Sequence, residues 1–156
     1  MGLRTLSGRA ALAVGSSLLL VGLLTGGAVA RDTAIITIAI DLDTGVETFT
    51  TASPLLCPSG DAVTDFERAA GSFRAAGSFH LSKLLTCGDG SGSFVIRVDA
   101  GTNFLVGNGT IGGWSVVPGS GTGSYVGLRG GGSLVGVNSD TAPIDLIDSY
   151  FGSLRL

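Results

Sequence analysis

The sequence predicts an all-β fold, a small antiparallel β-barrel of eight strands. Short segments in which apolar and polar residues alternate recur along the chain, at spacings typical of a sandwich or a barrel. Glycine-rich turn sequences separate these segments, and helical periodicity is absent from most of the chain after residue 30. A closed barrel is favoured over an open sheet because closure removes the exposed edges of such a glycine-rich sheet.

The first thirty residues have the three parts of an export signal. Two arginines precede an apolar stretch of about 15 residues, which is shorter than the roughly 20 residues that span a bilayer. A small-residue motif then ends at Ala30, so we expect cleavage between Ala30 and Arg31. The expected products are a signal peptide, residues 1–30, and one secreted, extracytoplasmic β-barrel domain, residues 31–156, without stable membrane insertion.

The charge of the predicted mature domain excludes some partners. Cleavage would leave seven basic and twelve acidic side chains, a net charge of about −5. Binding to nucleic acid needs a basic stripe, so no nucleic acid partner is expected. The same charge argues against electrostatic docking on anionic lipid.

The first two predicted strands form a hairpin. Residues 33–42 are rich in Ile and Thr, which favour a strand over a helix, and residues 46–51 form the partner strand. Asp41, Asp43 and Glu47 lie around the turn, but they lack the spacing of a calcium-binding loop. We interpret them as acids that flank a hairpin turn.

Three further strands are predicted in the middle of the chain. Residues 62–70 fit an uneven strand or a short helix, because Ala, Glu and Arg also favour helices. Residues 76–86 and 93–100 alternate clearly, as expected for half-buried strands.

The last three predicted strands are residues 107–117, 127–137 and 144–156. Glycines 130, 131 and 132 would weaken a flat sheet, and such glycines mark sharp bends or close backbone approaches at barrel corners. Tyr125 lies between a glycine-rich turn and the following strand, where an aromatic ring could plug one end of the barrel.

One run in the late hairpin resembles a known superfamily. Residues 121–130 follow the pattern G-T-G-x-Y-x-G-x-R-G, which is similar to the late hairpin of dirigent and allene oxide cyclase-like β-barrels. In that superfamily the run joins two late strands of an eight-stranded antiparallel barrel. The resemblance covers about 25 residues and implies the fold. No catalytic residue of those families can be placed on this chain.

The two cysteines, Cys57 and Cys87, predict a disulfide because the protein carries an export signal. A metal site would need more ligands than two cysteines and one distant histidine, so no metal is expected. A redox pair would usually have the spacing C-x-x-C.

Sequence motifs identify no catalytic residue and no cofactor site. The phosphate-loop, dinucleotide-binding and serine-nucleophile patterns are absent from the sequence. The single histidine, His80, is interpreted as a polar residue on the outer face of a strand. Its alternative role is a general base in a barrel lumen.

Five residues are candidates for a lumen or pocket. Alternation places Lys83 on an apolar face, so it either snorkels at the barrel end or pairs with an anion in a pocket. Arg97 and Asp99 share a face, where they could pair or line a lumen, although surface placement is favoured. The candidates Trp114 and Tyr125 are aromatic. Asp148 and Tyr150 also share a face, which we expect at the surface.

Two classes of function stay open. The first is a non-enzymatic secreted module that binds an apolar small molecule in the barrel or a partner on its surface, because the chain is apolar and lacks a convergent catalytic set. The resemblance implies the alternative, an enzyme or stereochemical guide whose apolar cavity directs a cyclisation or coupling. It also implies a homo-oligomer. A structural or envelope role is a third possibility. Buried charges in a cavity would favour the enzyme, and a filled apolar core the surface module.

Overall fold

The structure covers most of the predicted mature domain. This computed structural model describes residues 31–71, 76–103, 109–139 and 143–156. The predicted signal peptide, residues 1–30, lies outside the described residues. In the described part of the chain, no helix is long and apolar enough to cross a membrane.

The described residues form eight β-strands and one short 3₁₀ helix at Gly123–Tyr125. In chain order the strands are β1 Asp32–Asp41, β2 Val46–Thr51, β3 Ser59–Gly71, β4 Ala76–Cys87, β5 Ser93–Asn103, β6 Gly109–Val116, β7 Arg129–Asn138 and β8 Leu146–Arg155. The segment around residues 62–70, which the sequence left open between strand and helix, is therefore a strand.

The eight strands close into one antiparallel barrel, which confirms the predicted fold class. Each strand pairs with its neighbours in sequence, and β8 pairs with β1 to complete the ring. Ile36 lies opposite Tyr150 in this closing ladder. Among the described strands no backbone edge remains unpaired, so the sheet cannot extend by adding another strand.

A tyrosine and a disulfide close one end of the barrel, which we call the disulfide end. Cys57 and Cys87 are bonded, with their Cα atoms 5.9 Å apart, which confirms the predicted disulfide. The Tyr125 hydroxyl accepts a hydrogen bond of 2.9 Å from the Cys57 N–H and forms another of 2.9 Å with the Ser91 hydroxyl. Its ring packs edge-on against Phe94, with the ring centroids 5.3 Å apart. Tyr125 therefore plugs this end.

The barrel interior is filled by side chains, as expected for eight strands. The largest fully buried side chains of the described residues come from six of the eight strands, β1, β2, β4, β5, β7 and β8: Ile36, Ile38, Phe49, Phe79, Leu85, Phe94, Ile96, Val98, Leu134, Tyr150 and Leu154. Glycines make room for the large rings. A Cβ added at Gly60 would lie 2.8 Å from the Phe49 ring, and one added at Gly152 would lie 3.0 Å from the Trp114 ring.

The glycine run of the late hairpin approaches β8 closely, as its sequence predicts. Gly130 has a φ of 151°, a conformation that side-chain-bearing residues rarely adopt. A Cβ added at Gly132 would collide with the carbonyl oxygen of Phe151. These glycines therefore allow β7 to pack against β8 where the sheet curves.

Candidate functional site

Five polar residues from four strands meet inside the otherwise apolar barrel. We call them the buried polar cluster: Glu47, Thr64, Lys83, Asp148 and Tyr150. Lys83 is 3% exposed, Asp148 6% and Tyr150 fully buried. Ionisable groups are rarely buried this deeply unless they are paired, so the cluster is the strongest candidate for a functional site.

Strand alternation sends these side chains inward. Lys83 follows Leu81 and precedes Leu85 on the buried face of β4. Glu47 lies two residues before the buried Phe49 in β2, so the two side chains share a face. In the ladder between β3 and β4, Thr64 lies directly opposite Lys83. The ring of strands therefore brings the three polar groups together.

Lys83, the only lysine in the sequence, forms a compact ion pair within this cluster. Its Nζ donates hydrogen bonds to Glu47 Oε2 at 2.7 Å and to Thr64 Oγ1 at 2.5 Å. The Thr64 hydroxyl donates in turn to Glu47 Oε1 at 2.6 Å. Each of the three groups is therefore hydrogen-bonded to the other two, and these bonds offset the cost of burying both charges.

Asp148 is less well satisfied than the ion pair. The Tyr150 hydroxyl donates to Asp148 Oδ2 over 3.3 Å, while Oδ1 has no hydrogen-bond partner in the described structure. Burial raises the pKa of Asp148 above its ordinary value of 3.8, although the Lys83 ammonium and the Tyr150 hydroxyl partly oppose this. Burial, together with the nearby Asp148, raises the pKa of Tyr150 well above its usual range. Asp148 is therefore a buried carboxyl with one oxygen still able to form a hydrogen bond.

A row of polar positions leads from Asp148 along the inner wall. Thr102, Thr110, Gly136 and Asp148 are successive partners across β5, β6, β7 and β8. Both threonines are buried, and Thr102 Oγ1 also lacks a hydrogen-bond partner among the described residues. These positions lie at the end of the barrel opposite the disulfide end. We call this row the polar wall.

The raised pKa of Asp148 predicts a pH-dependent stability. The folded protein holds this proton more tightly than the unfolded chain, so the stabilisation is complete below pH 3.8 and is lost as the pH rises through the folded-state pKa. Asp148→Asn keeps a neutral group at every pH. We expect the free energy of unfolding of the variant, relative to the wild type, to rise from about pH 4 to about pH 7, by about 1.4 kcal/mol for each unit of pKa elevation.

Urea unfolding at several pH values measures this difference. Asp99→Asn is the matched control, because the side chain of Asp99 is 61% exposed. A difference between the Asp148 variant and the wild type that stays constant across this range would contradict the prediction.

The structure divides the five residues proposed for a lumen or pocket. Lys83, Trp114 and Tyr125 lie inside the barrel. The Trp114 Nε1 donates to the carbonyl oxygen of Phe151 at 3.2 Å, and its ring packs edge-on against Tyr150 with centroids 6.1 Å apart. Arg97 and Asp99 lie outside, on the surface, so the lumen alternative for this pair does not hold.

Arg97 and Asp99 line an open hollow of about 490 Å³ on the outer surface of β3, β4 and β5. We call it the charged hollow; its lining residues are Glu67, Arg68, His80, Arg97 and Asp99. His80 Nδ1 contacts Asp99 Oδ1, and Arg97 Nε lies 3.9 Å from Glu67 Oε1. All four of these side chains are between 44% and 61% exposed. Such pairs contribute little to stability because water screens them. His80 is therefore on the outer face, as expected.

Among the described residues, one group of three potential metal ligands has closely spaced donor atoms: Cys57, Cys87 and Asp89. The two thiols are joined in the disulfide. The group therefore offers only the exposed Asp89 carboxylate to a cation, and it is not a metal site.

Two interpretations from the sequence were wrong. Glu47 is not simply an acid flanking a turn, because its carboxylate faces Lys83 inside the barrel. Glu47 lies two residues before Phe49, and this spacing could have predicted that the two side chains share the buried face of β2. Asp148 and Tyr150 are buried and not at the surface. In β8 both alternating faces carry apolar side chains, such as Phe151 on one and Leu154 on the other, so the pattern did not show which face is inside.

Comparison of the chain with known proteins does not assign it to a family. No family model matches the chain, and neither a curated protein nor a solved structure gives a match.

Proposed function

We propose that this protein is a secreted binding module that holds a small molecule in its barrel. The ligand has a mainly apolar body and one hydrogen-bonding group, a hydroxyl or an amine. Because side chains fill the described interior, the ligand would enter at the end opposite the disulfide end, where its body would displace apolar side chains and its polar group would meet Asp148 on the polar wall. The export signal in the sequence and the disulfide support an extracytoplasmic location.

The observation that carries this proposal is the unpartnered Asp148 Oδ1. A buried polar atom without a partner costs about 1 to 3 kcal/mol, so proteins rarely keep one without a reason. Replacement of a buried polar group by an apolar one of the same shape is often neutral or stabilising. This carboxyl oxygen has no partner among the described residues, and a ligand would supply one.

The charge of the interior supports a ligand without a strong charge. Lys83 and Glu47 neutralise each other at 2.7 Å and leave no free cation for an anionic ligand. Asp148, with its raised pKa, can be neutral and donate a proton in a hydrogen bond, or ionised and accept one. A hydroxyl or an amine suits both states, whereas a carboxylate or a phosphate would be repelled by the ionised form.

A second function is a stereochemical guide or cyclase-like enzyme, similar to the dirigent and allene oxide cyclase-like proteins. The raised pKa of Asp148 beside Tyr150 favours this alternative, because burial makes this carboxyl hold its proton more tightly than an exposed one, as a general acid requires. Binding alone needs a hydrogen bond to this carboxyl but no transfer of its proton. Turnover of a bound ligand would therefore depend on Asp148.

The first test is native mass spectrometry of the protein purified from culture medium, followed by binding titrations. A retained small molecule would add to the mass of the chain that begins at Arg31. Trp114, the only tryptophan, packs against Tyr150 and reports on the interior by its fluorescence. We expect a long-chain alcohol to bind more tightly than the alkane of equal length. Asp148→Leu should remove this preference, a loss of about tenfold for one hydrogen bond.

Asp99→Leu is the matched control, because it makes the same substitution on the outer surface. It should leave the preference for the alcohol intact. If neither probe changes the Trp114 fluorescence and the purified protein carries no added mass, the barrel interior does not bind ligands and the proposal fails.

A further inference from the structure

Three arginines lie side by side on the outside of the disulfide end. Arg129 begins β7 and lies directly opposite Arg155, which ends β8. In the ladder between β8 and β1, Asp32 lies opposite Leu154. Arg31 precedes Asp32 and therefore takes the next position along this ladder, beside Arg155. Three neighbouring segments thus present what we call the arginine row: Arg31, Arg155 and Arg129.

The arginine row borders a hollow of about 220 Å³ on the outer surface of the barrel. Leu154 takes the alternate, buried position in β8, so Arg155 and its ladder partner Arg129 face outwards. Ser153 lies two residues before Arg155 on the same face and adds a hydroxyl to the lining. No described residue that lines the hollow is acidic. The hollow is therefore surrounded by hydrogen-bond donors with positive charge.

The positive charge of the row is not neutralised within the described chain. None of the three guanidinium groups forms an ion pair with a carboxylate of the described residues. Asp32, the acid nearest in sequence, shares the other face of β1 with the buried Ala34 and Ile36. Like charges directly opposite each other in an antiparallel ladder destabilise a sheet. An anion in the hollow would remove this repulsion.

The row is also unusual for the composition of this chain. Residues 31–156 contain seven basic and twelve acidic side chains, yet three of the seven basic ones meet at this hollow. The charged hollow differs, since its two arginines are accompanied there by Glu67 and Asp99. Of the two hollows, only the one beside the arginine row has the charge to select an anion.

We propose that the arginine row binds a phosphate group, carried either by a small molecule in solution or by the headgroup of a lipid. A phosphomonoester has a charge of about −1.5 to −2 at pH 7 and three strong acceptor oxygens. A guanidinium group offers planar pairs of N–H donors that match two of these oxygens at once. A carboxylate, with one charge and two oxygens, would leave more of the row without a partner.

The size and position of the hollow fit a single phosphate group. Pockets for whole drug-sized molecules measure roughly 300 to 1,000 Å³, so about 220 Å³ suits one group of a ligand whose remainder lies in solvent. The net charge of the domain repels an anionic membrane, which favours the soluble source. The arginine row lies at the opposite end of the barrel from Asp148. Phosphate binding there is therefore independent of the ligand proposed for the interior.

Calorimetric titration of the purified protein with inorganic phosphate at low ionic strength tests the proposal. We expect one phosphate per chain, bound more weakly as sodium chloride is added, because salt screens exposed charges. Arg155→Gln and Arg129→Gln should each weaken binding by at least about tenfold, because each removes hydrogen bonds to a charged group. Arg97→Gln is the matched control, since Arg97 is an exposed arginine outside the row. It should leave the affinity unchanged.

Thermal unfolding of the same proteins separates a lost site from a folding defect. Without phosphate, Arg129→Gln should melt at a higher temperature than the wild type, because it relieves the repulsion from Arg155. Phosphate should raise the melting temperature of the wild type and of Arg97→Gln, because a ligand stabilises the folded state that binds it. It should raise that of the two row variants much less.

Two further probes distinguish the sources of the phosphate. Glucose 6-phosphate represents a soluble phosphomonoester, and phosphatidylcholine vesicles with added phosphatidic acid represent a lipid headgroup. Binding to a soluble probe or to these vesicles, weakened by both row variants and not by Arg97→Gln, would establish the site and name its source. Failure to bind inorganic phosphate, glucose 6-phosphate and the vesicles would overturn the proposal. Equal weakening by Arg97→Gln and the row variants would also overturn it.

Discussion

Replacement of Lys83 by methionine should destabilise the barrel by about 3 to 5 kcal/mol, since removal of one partner leaves the other charge buried and unpaired. Lys83 Nζ is the donor to both Glu47 Oε2 and Thr64 Oγ1, and Glu47 is only 11% exposed. Methionine fills a similar volume but donates no hydrogen bond. The Glu47 carboxylate would then have to take up a proton or draw water into the interior.

The paired change Lys83→Met with Glu47→Leu should cost much less than Lys83→Met alone, because it removes both charges together. Denaturant unfolding of the two single variants and the double variant gives the coupling energy. Arg97→Met is the matched control, since the ion pair of Arg97 with Glu67 is long and half-exposed, and should cost less than about 1 kcal/mol. Equal destabilisation by Lys83→Met and Arg97→Met would show that the buried ion pair contributes no more to the free energy of unfolding than an exposed one.

Reduction of the disulfide should lower the free energy of unfolding by about 3 to 4 kcal/mol and the melting temperature by several degrees. Cys57 and Cys87 are 30 residues apart, and their bond restricts a loop of that length in the unfolded chain. The same bond holds the connection between β2 and β3 against the end of β4. Loss of the disulfide would also weaken the position of Tyr125, because its hydroxyl accepts a hydrogen bond from the Cys57 N–H.

Thermal unfolding with and without a reductant measures this effect, and the variant Cys57→Ser with Cys87→Ser should reproduce it without any reagent. The double variant should not respond further to the reductant, which serves as the control. An unchanged melting temperature after complete reduction would contradict the prediction.

The barrel could be predicted because residues 76–86 and 93–100 alternate clearly, the first strand is rich in β-branched residues, and glycine-rich turns separate the strand-like segments. Strand alternation also placed Lys83 on the apolar face of β4, where the structure finds it. The disulfide was predicted from the two cysteines together with the predicted export signal. The position of Tyr125 after a glycine-rich turn indicated its role as a plug.

The buried polar cluster could not be assembled from the sequence. Its members lie on β2, β3, β4 and β8, and only closure of the ring brings Asp148 near Lys83. Local alternation gives the face of a side chain but not its partner across the barrel. For β8 even the face was ambiguous, because Ile147 and Phe151 make the outer side as apolar as the inner one.

Closure by β1 and β8 has a consequence for how the protein reaches its destination. Asp32 lies opposite Leu154, so the first strand cannot complete its pairing until the last strand is present. Contacts between such distant segments form slowly. On the proposed export route, the barrel would therefore stay open until the last strand had crossed the membrane. Burial of Lys83, Glu47 and Asp148 would wait until the final strand had crossed, and the barrel would be completed only in the compartment where its disulfide can form.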